Sequence, residues 1–158
     1  MNQQEYQQSL IDIYQGEVLG EALFSRLLET ELNPDMSYAY SCLLQLETET
    51  KARIRVLLVR HGLSIVESAQ SRADGMTWAD ALRKCPTEDF LKQFTEEITP
   101  YAERYAHFAE HALPDDQSCL RYVATHEHSI LQFLTQLHSH SPRESVDAAR
   151  ILLSFPLE

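Results

Sequence analysis

Three glutamates, each in the middle of a predicted helix, lie on the side of that helix where the apolar residues gather. A helix advances about 100° per residue, which places Glu17, Glu47 and Glu127 within the apolar stripes of their helices. A carboxylate in an apolar seam costs free energy unless it is paired, hydrogen-bonded or bound to a metal. We therefore expect these carboxylates to meet either at a metal site or in a buried polar network.

Other ionisable side chains lie near the same seam. Glu21, one turn after Glu17, is a candidate metal ligand, although its place beside the stripe favours an interhelical role. His126 lies at the border of its stripe and is a further candidate ligand. Lys51 and Arg104 could instead neutralise the glutamates by ion pairing, which would leave the seam free of metal. Spacing alone leaves both alternatives open.

Breakers and capping residues divide the first half of the chain. They predict a first helix over about 4–31, before Asn33-Pro34, and a second over about 35–60, before Gly62. The following segment, 63–98, carries weaker signals. It is predicted to hold a turn at Asp74-Gly75 and short helices on either side of Cys85-Pro86.

The second half has clearer boundaries. Thr99-Pro100 predicts the start of a third main helix that runs to about residue 112. Asp115 or Asp116 is the expected N-cap of a fourth, which runs to about 138. Ser141 and Glu144 have the spacing of a capping box, which predicts a short C-terminal helix.

These elements predict one all-α domain over residues 1–158. The chain has 158 residues, 44% of them hydrophobic, with only 4 Gly and 6 Pro, a composition that favours long helices over many strands. The first two main helices are joined by a short connection, as are the third and fourth, and a long crossover separates the pairs. Two helical hairpins with one long crossover form a ferritin-like four-helix bundle.

Charge and cysteine content narrow the expected partners. A net charge of -11 argues against nucleic acids and anionic membranes, which require a basic face, and is compatible with metal ions. The 3 cysteines form no Cys-x-x-Cys pair. The first residues are polar and carry no signal-peptide pattern, so a cytoplasmic location is expected. The sequence leaves open whether the protein forms a homodimer.

Three strings carry a family resemblance: YQGEVLGEALF at 14–24, LETETK at 46–51, and Thr125-His126-Glu127. They resemble the ligand-bearing helices of the ferritin-like superfamily of di-iron carboxylate proteins, which includes rubrerythrins and bacterioferritins. The resemblance implies a dinuclear iron centre, or manganese or zinc, in an iron-dependent oxidoreductase that acts on oxygen, peroxide or iron.

The chain departs from that family's pattern at one motif. The family has a Glu-x-x-His pair on each of two helices, but Thr50 and Ile130 stand three residues after Glu47 and Glu127. The alternative is a degenerate, metal-free member with a structural or protein-interaction role.

Two further interpretations concern a ligand cavity and a pair of histidines. A bundle similar to haem-oxygenase-like proteins would need a sizeable ligand cavity near Tyr14, Tyr40 and Glu127. His107 and His111 have the i, i+4 spacing that lets two histidines share a zinc ion. Because they lie at the edge of their helix, we expect them to be exposed to solvent rather than to bind zinc.

Overall fold

The computed structural model describes residues 2–157, except for the side chains of 87 and 88. Within that range the protein is helical, with no strand, which confirms the all-α prediction. The helices are α1 (Gln3–Leu28), α2 (Pro34–Arg60), α3 (Ala69–Lys84), α4 (Thr87–Glu110), α5 (Gln117–Gln136), α6 (Pro142–Ser145) and α7 (Asp147–Arg150). In the described part of the chain, none of them is long and apolar enough to cross a membrane.

Most of the long helices begin at side-chain caps. Asn2 and Glu5 form a capping box at the start of α1, and the Asn33 side chain accepts from two backbone N–H groups at the start of α2. Gly62, with φ of 67°, follows the end of α2, as expected for a glycine stop. Asp116, one of the two residues expected there, is the N-cap of α5. Its carboxylate makes no capping bond, because it is bound by Tyr6, Arg60 and His61.

The chain folds as two antiparallel hairpins, α1 with α2 and α4 with α5. The crossover between them contains α3, which packs along α1 and runs parallel to it, with Ser68 near Gln15 and Asp80 near Arg26. Because α3 returns the chain to the opposite end of the bundle, α4 runs parallel to α2. The short helices α6 and α7 pack against α2 and α5.

The turn predicted at Asp74-Gly75 is wrong, because both residues lie inside α3. Gly75 is there for close packing and does not form a turn. A Cβ at this position would come within 3.0 Å of the Leu19 carbonyl oxygen of α1. The crossover therefore holds one long helix where short ones were expected, and a glycine lets its backbone approach α1.

The third main helix does not begin at Pro100, because α4 starts at Thr87 and continues through that proline. Proline removes one intrahelical hydrogen bond and leaves the carbonyl of Glu96 without its donor. Glu96 and Pro100 are both exposed, so solvent can satisfy that carbonyl. Phe94 and Ile98, which precede Pro100, are buried and hold the first half of α4 on the core.

The core consists of two apolar clusters with a polar layer between them. One cluster includes Phe24, Leu43 and Phe133, and the other includes Leu10, Leu58 and Val123. Between the clusters, the midpoints of three helices bury polar side chains: Glu17 on α1, Glu47, Thr50 and Lys51 on α2, and His126, Glu127 and Ser129 on α5. The antiparallel packing therefore places the predicted seam glutamates at the same level along the bundle axis.

The segment that enters α3 is tied to the bundle by hydrogen bonds and ion pairs. The Tyr14 hydroxyl donates to the backbone carbonyl of Ile65. Glu67 binds the buried Lys51 ammonium at 2.8 Å and also contacts Arg72 and Arg55. The hydrogen bonds from Lys51, with those from Arg72, lower the pKa of Glu67 to about 2.

We expect Gly75→Ala to destabilise the protein by about 1–3 kcal/mol, because the new methyl group meets the fixed backbone of Leu19. The opposing gain in helix propensity is only about 1 kcal/mol. Urea unfolding measures the difference. Met76→Ala, at an exposed neighbouring position, is the control and should change stability by less than about 0.5 kcal/mol. Equal stability of Gly75→Ala and wild type would contradict the close packing of α3 on α1.

We expect Glu67→Gln to weaken the dependence of stability on pH in acid. A carboxylate whose folded pKa is depressed stabilises the fold above its unfolded pKa of 4.5, and this contribution is lost as pH falls toward 2. Wild type should therefore lose more stability than Glu67→Gln across that window, as measured by urea unfolding. Glu96→Gln, which removes an exposed acid, should behave as wild type.

Candidate metal centre

Glu17 of α1, Glu47 of α2 and His126 of α5 converge in the polar layer; we call them the buried triad. Glu17 and His126 are 0% exposed and Glu47 is 3% exposed. One ligand atom from each lies within 4.8 Å of the others. Sequence reasoning identified all of these residues, and the structure brings them together.

The imidazole of His126 lies between the two carboxylates. Its Nδ1 is 3.3 Å from Glu17 Oε2, and its Nε2 is 3.5 Å from Glu47 Oε1. Neither contact has hydrogen-bond geometry: both imidazole nitrogens and both oxygens of Glu17 are buried without a hydrogen-bond partner. Buried polar atoms are seldom left without partners, so the buried triad has unused capacity to bind a ligand.

Burial is the largest single influence on the pKa of each of these groups. It raises the pKa of Glu17, and it raises the pKa of Glu47 to about 8, against the lowering effect of His126. Burial alone would lower the pKa of His126, but the facing carboxylates of Glu17 and Glu47 outweigh it and hold that pKa well above its usual value. The metal-free cluster therefore retains protons near neutral pH, which a bound cation would displace.

Glu127 borders a small cavity beside the buried triad. The cavity has a volume of about 20 Å³, enough for one water molecule. Glu47, Tyr105 and Trp78 also line it. Glu127 Oε2, the Tyr105 hydroxyl and Trp78 Nε1 are all buried without a hydrogen-bond partner. The polar environment thus extends from the buried triad to α3 and α4.

Two glycines of α1 make room for these side chains. A Cβ on Gly16 would come within 3.0 Å of the Tyr105 hydroxyl, and a Cβ on Gly20 would meet the Glu47 carboxylate equally closely. Sequence reasoning missed both glycines and did not assign Tyr105 or Trp78 to the site. The available signal was the pair of glycines four residues apart inside an otherwise regular helix, where glycine usually has a packing reason.

Glu21, proposed above as a ligand, lies outside the buried triad. Its carboxylate binds Lys51 Nζ at 2.5 Å and accepts from the Thr48 hydroxyl. The predicted ion pairs of Lys51 and Arg104 with the seam glutamates are also not found. Lys51 is held by Glu21 and Glu67, and the exposed Arg104 guanidinium lies over the rings of Tyr101 and Tyr105. The basic side chain that faces Glu17 and Glu47 is His126.

His126 lies at the centre of the buried face of α5, whereas the helical wheel placed it at the border. The apolar stripe that the sequence predicts for this helix includes Leu131 and Leu137, which are only partly buried, and omits Phe133, which is 0% exposed. The buried face of α5 is therefore rotated toward Phe133 relative to the predicted stripe, and His126 lies on that buried face.

The structure gives no support to a haem-type ligand cavity. The cavity beside Glu127 is about 20 Å³, far smaller than the 300–1,000 Å³ of typical cofactor pockets. Tyr14 and Tyr40 do not line it, because both rings are packed in the two apolar clusters.

The described chain therefore defines a class of protein: an all-helical bundle with a buried carboxylate–imidazole cluster between two apolar half-cores. No protein-family model, curated protein or solved structure matches the chain.

We expect the metal-free protein to lose stability as pH rises from 5 to 8. Burial raises the pKa of Glu127 to about 7. An acid whose folded pKa is raised favours folding most below its unfolded pKa of 4.5, and this contribution is lost as pH rises through 7. Glu127 alone should contribute a loss of about 2 kcal/mol.

Urea unfolding in the presence of a chelator, at pH 5 to 8, measures this loss. Glu127→Gln cannot ionise and should show a flatter profile. Glu103→Gln, at an exposed position of α4, should follow wild type. A profile of Glu127→Gln as steep as that of wild type would contradict this account of the pH dependence.

Proposed function

We propose that the protein binds a first-row transition metal between Glu17, Glu47 and His126, and that it uses this centre for iron-type redox chemistry on oxygen, peroxide or iron itself. The observation that carries the proposal is the set of buried, unpartnered ligand atoms that face one another. Both imidazole nitrogens of His126 and both oxygens of Glu17 have no hydrogen-bond partner.

The donor set fits such a metal. Two carboxylates and one imidazole supply hard oxygen ligands and one borderline nitrogen, which suit iron, manganese or zinc and disfavour soft ions such as Cu(I). Atoms bound to one such ion lie about 2.0–2.2 Å from it. Ligand atoms that already lie within 4.8 Å of one another could reach that arrangement by small side-chain rotations.

The buried triad supports one ion directly. Glu47 contacts His126 and also lines the cavity that Glu127 borders. A carboxylate placed between two such groups can bridge metals, so we propose Glu127 as the ligand through which a second ion would be held.

We further propose a ferritin-like relationship. It is supported by the two hairpins, by the long crossover, and by carboxylates at the midpoints of α1, α2 and α5. The missing Glu-x-x-His partners remain a departure, since Thr50 occupies the place of one of the expected histidines. In this chain the imidazole would come from His126, next to Glu127 in the sequence.

When bound, the metal would supply electron transfer to an oxidant. The surrounding residues would control protons and water. Glu127, with a pKa raised by burial to about 7, can hold or release a proton at Oε2 beside the cavity. The unpartnered Tyr105 hydroxyl can donate a hydrogen bond to a molecule there. Apolar neighbours such as Leu23 and Phe24 line the same cavity and restrict entry of bulk water.

A second candidate function is a metal-free bundle with a structural or interaction role. It is favoured by the position of His126, whose two nitrogens each face a carboxylate oxygen. A protonated His126 would neutralise part of the layer without any metal. Buried polar groups of this kind can specify the register of a helical bundle.

Metal content separates the two candidates. The protein should be made in medium that contains iron, manganese and zinc, and its bound metal should be measured by elemental analysis. We expect at least one ion per chain, with a loss of at least about tenfold for Glu17→Gln or His126→Ala, since even loss of outer-shell partners costs metal affinity by 10–100-fold.

Glu21→Gln is the matched control, because Glu21 lies one turn after Glu17 but binds Lys51. It should keep the metal content of wild type. Wild-type protein free of transition metal would favour the metal-free candidate. If Glu21→Gln lost metal as severely as Glu17→Gln, the assignment of ligands would be wrong.

A further inference from the structure

A second cluster of metal-ligating side chains lies at the C-terminal end of α4, on the surface. His107, Glu110 and His111 are all exposed, and one ligand atom from each lies within 4.8 Å of the others. Their spacing of i, i+3 and i+4 puts them on neighbouring turns of one helix face. We propose that these residues form a surface site for a divalent late transition metal of the zinc type, independent of the buried triad.

The orientation of His111 supports this site. Its Nδ1 lies 2.9 Å from the backbone carbonyl oxygen of His107, a contact in which Nδ1–H donates. This bond fixes the tautomer that leaves Nε2 free to bind a metal. Histidine ligands of metals usually donate their other ring nitrogen to a carbonyl or carboxylate in this way.

The local charge also favours a cation. Within residues 2–157, Glu110 forms no ion pair, so its carboxylate is available to a metal. His111 is the C-cap of α4, where the free carbonyl oxygens of the last turn carry partial negative charge. The rings of His107 and His111 already lie with centroids 4.5 Å apart.

The ligand set leaves room for a further ligand. Two histidines and one glutamate fill three positions of a four-coordinate zinc ion. His107 and His111 also line an open cleft of about 990 Å³, together with Arg104, His61 and Phe108. A molecule in that cleft could take the fourth position, and Arg104 would favour one that carries negative charge.

Chromatography of the untagged protein on immobilised Cu²⁺ tests the site, because only surface side chains can reach the matrix. We expect wild type to need a higher imidazole concentration for elution than His107→Ala or His111→Ala, because the exposed histidines that each variant retains bind the matrix more weakly than the paired site. Both substitutions are at exposed positions and should leave the fold intact, as far-ultraviolet circular dichroism would verify. The control is His128→Ala with His140→Ala, which removes two exposed histidines elsewhere and should elute as wild type does.

A second measurement follows the imidazole resonances by NMR while Zn²⁺ alone is added. The His107 and His111 resonances should shift together, and Glu110→Gln should weaken the apparent affinity by roughly tenfold. Unchanged retention of His107→Ala, or equal loss of retention in the control, would overturn the proposal. These results do not depend on the buried triad, since its side chains cannot reach the matrix.

Discussion

The burial of ionisable groups in the middle of the core is the constraint on which the rest of this structure depends. A carboxylate buried without a partner costs several kcal/mol or takes up a proton. Here Glu17, Glu47 and Glu127 are all buried at one depth, with His126 as the facing base. The two apolar clusters on either side hold the helices together, and the polar layer between them must be neutralised by protons or by a cation.

Close helix packing is the second requirement, and glycines meet it. Gly16 and Gly20 leave room on α1 for Tyr105 and Glu47, and Gly75 lets the backbone of α3 approach that of α1. A Cβ at Gly16 or Gly20 would come within 3.0 Å of the Tyr105 hydroxyl or the Glu47 carboxylate, so those side chains would have to move from their places in the polar layer. The glycines of α1 make room for side chains of the site, and the glycine of α3 allows α3 to pack closely on α1.

The buried lysine has a role separate from the site. Lys51 lies in the same polar layer but binds Glu21 and Glu67, and so ties α2 to α1 and to the segment that leads into α3. Its charge is already compensated by two carboxylates, which leaves Glu17 and Glu47 to His126. This division explains why neighbouring acids on α1, four residues apart, have opposite environments: the pKa of Glu17 is raised by burial, whereas that of Glu21 is lowered by Lys51 and Thr48 despite partial burial.

The sequence by itself determined the helical class, the two hairpins and the buried position of Glu17 and Glu47, because helical periodicity and capping residues are local signals. It placed His126 only at the border of its apolar stripe. It misjudged α3 and α4, since Gly75 and Pro100 act locally as breakers and only packing on the core keeps those helices continuous. Tertiary structure alone decided that Lys51 pairs with Glu21 and Glu67, that His126 faces two carboxylates, and that Tyr105 and Trp78 border the cavity. Those contacts join different helices. Whether they form depends on the rotation of each helix about its own axis, which is set by the packing of the whole bundle.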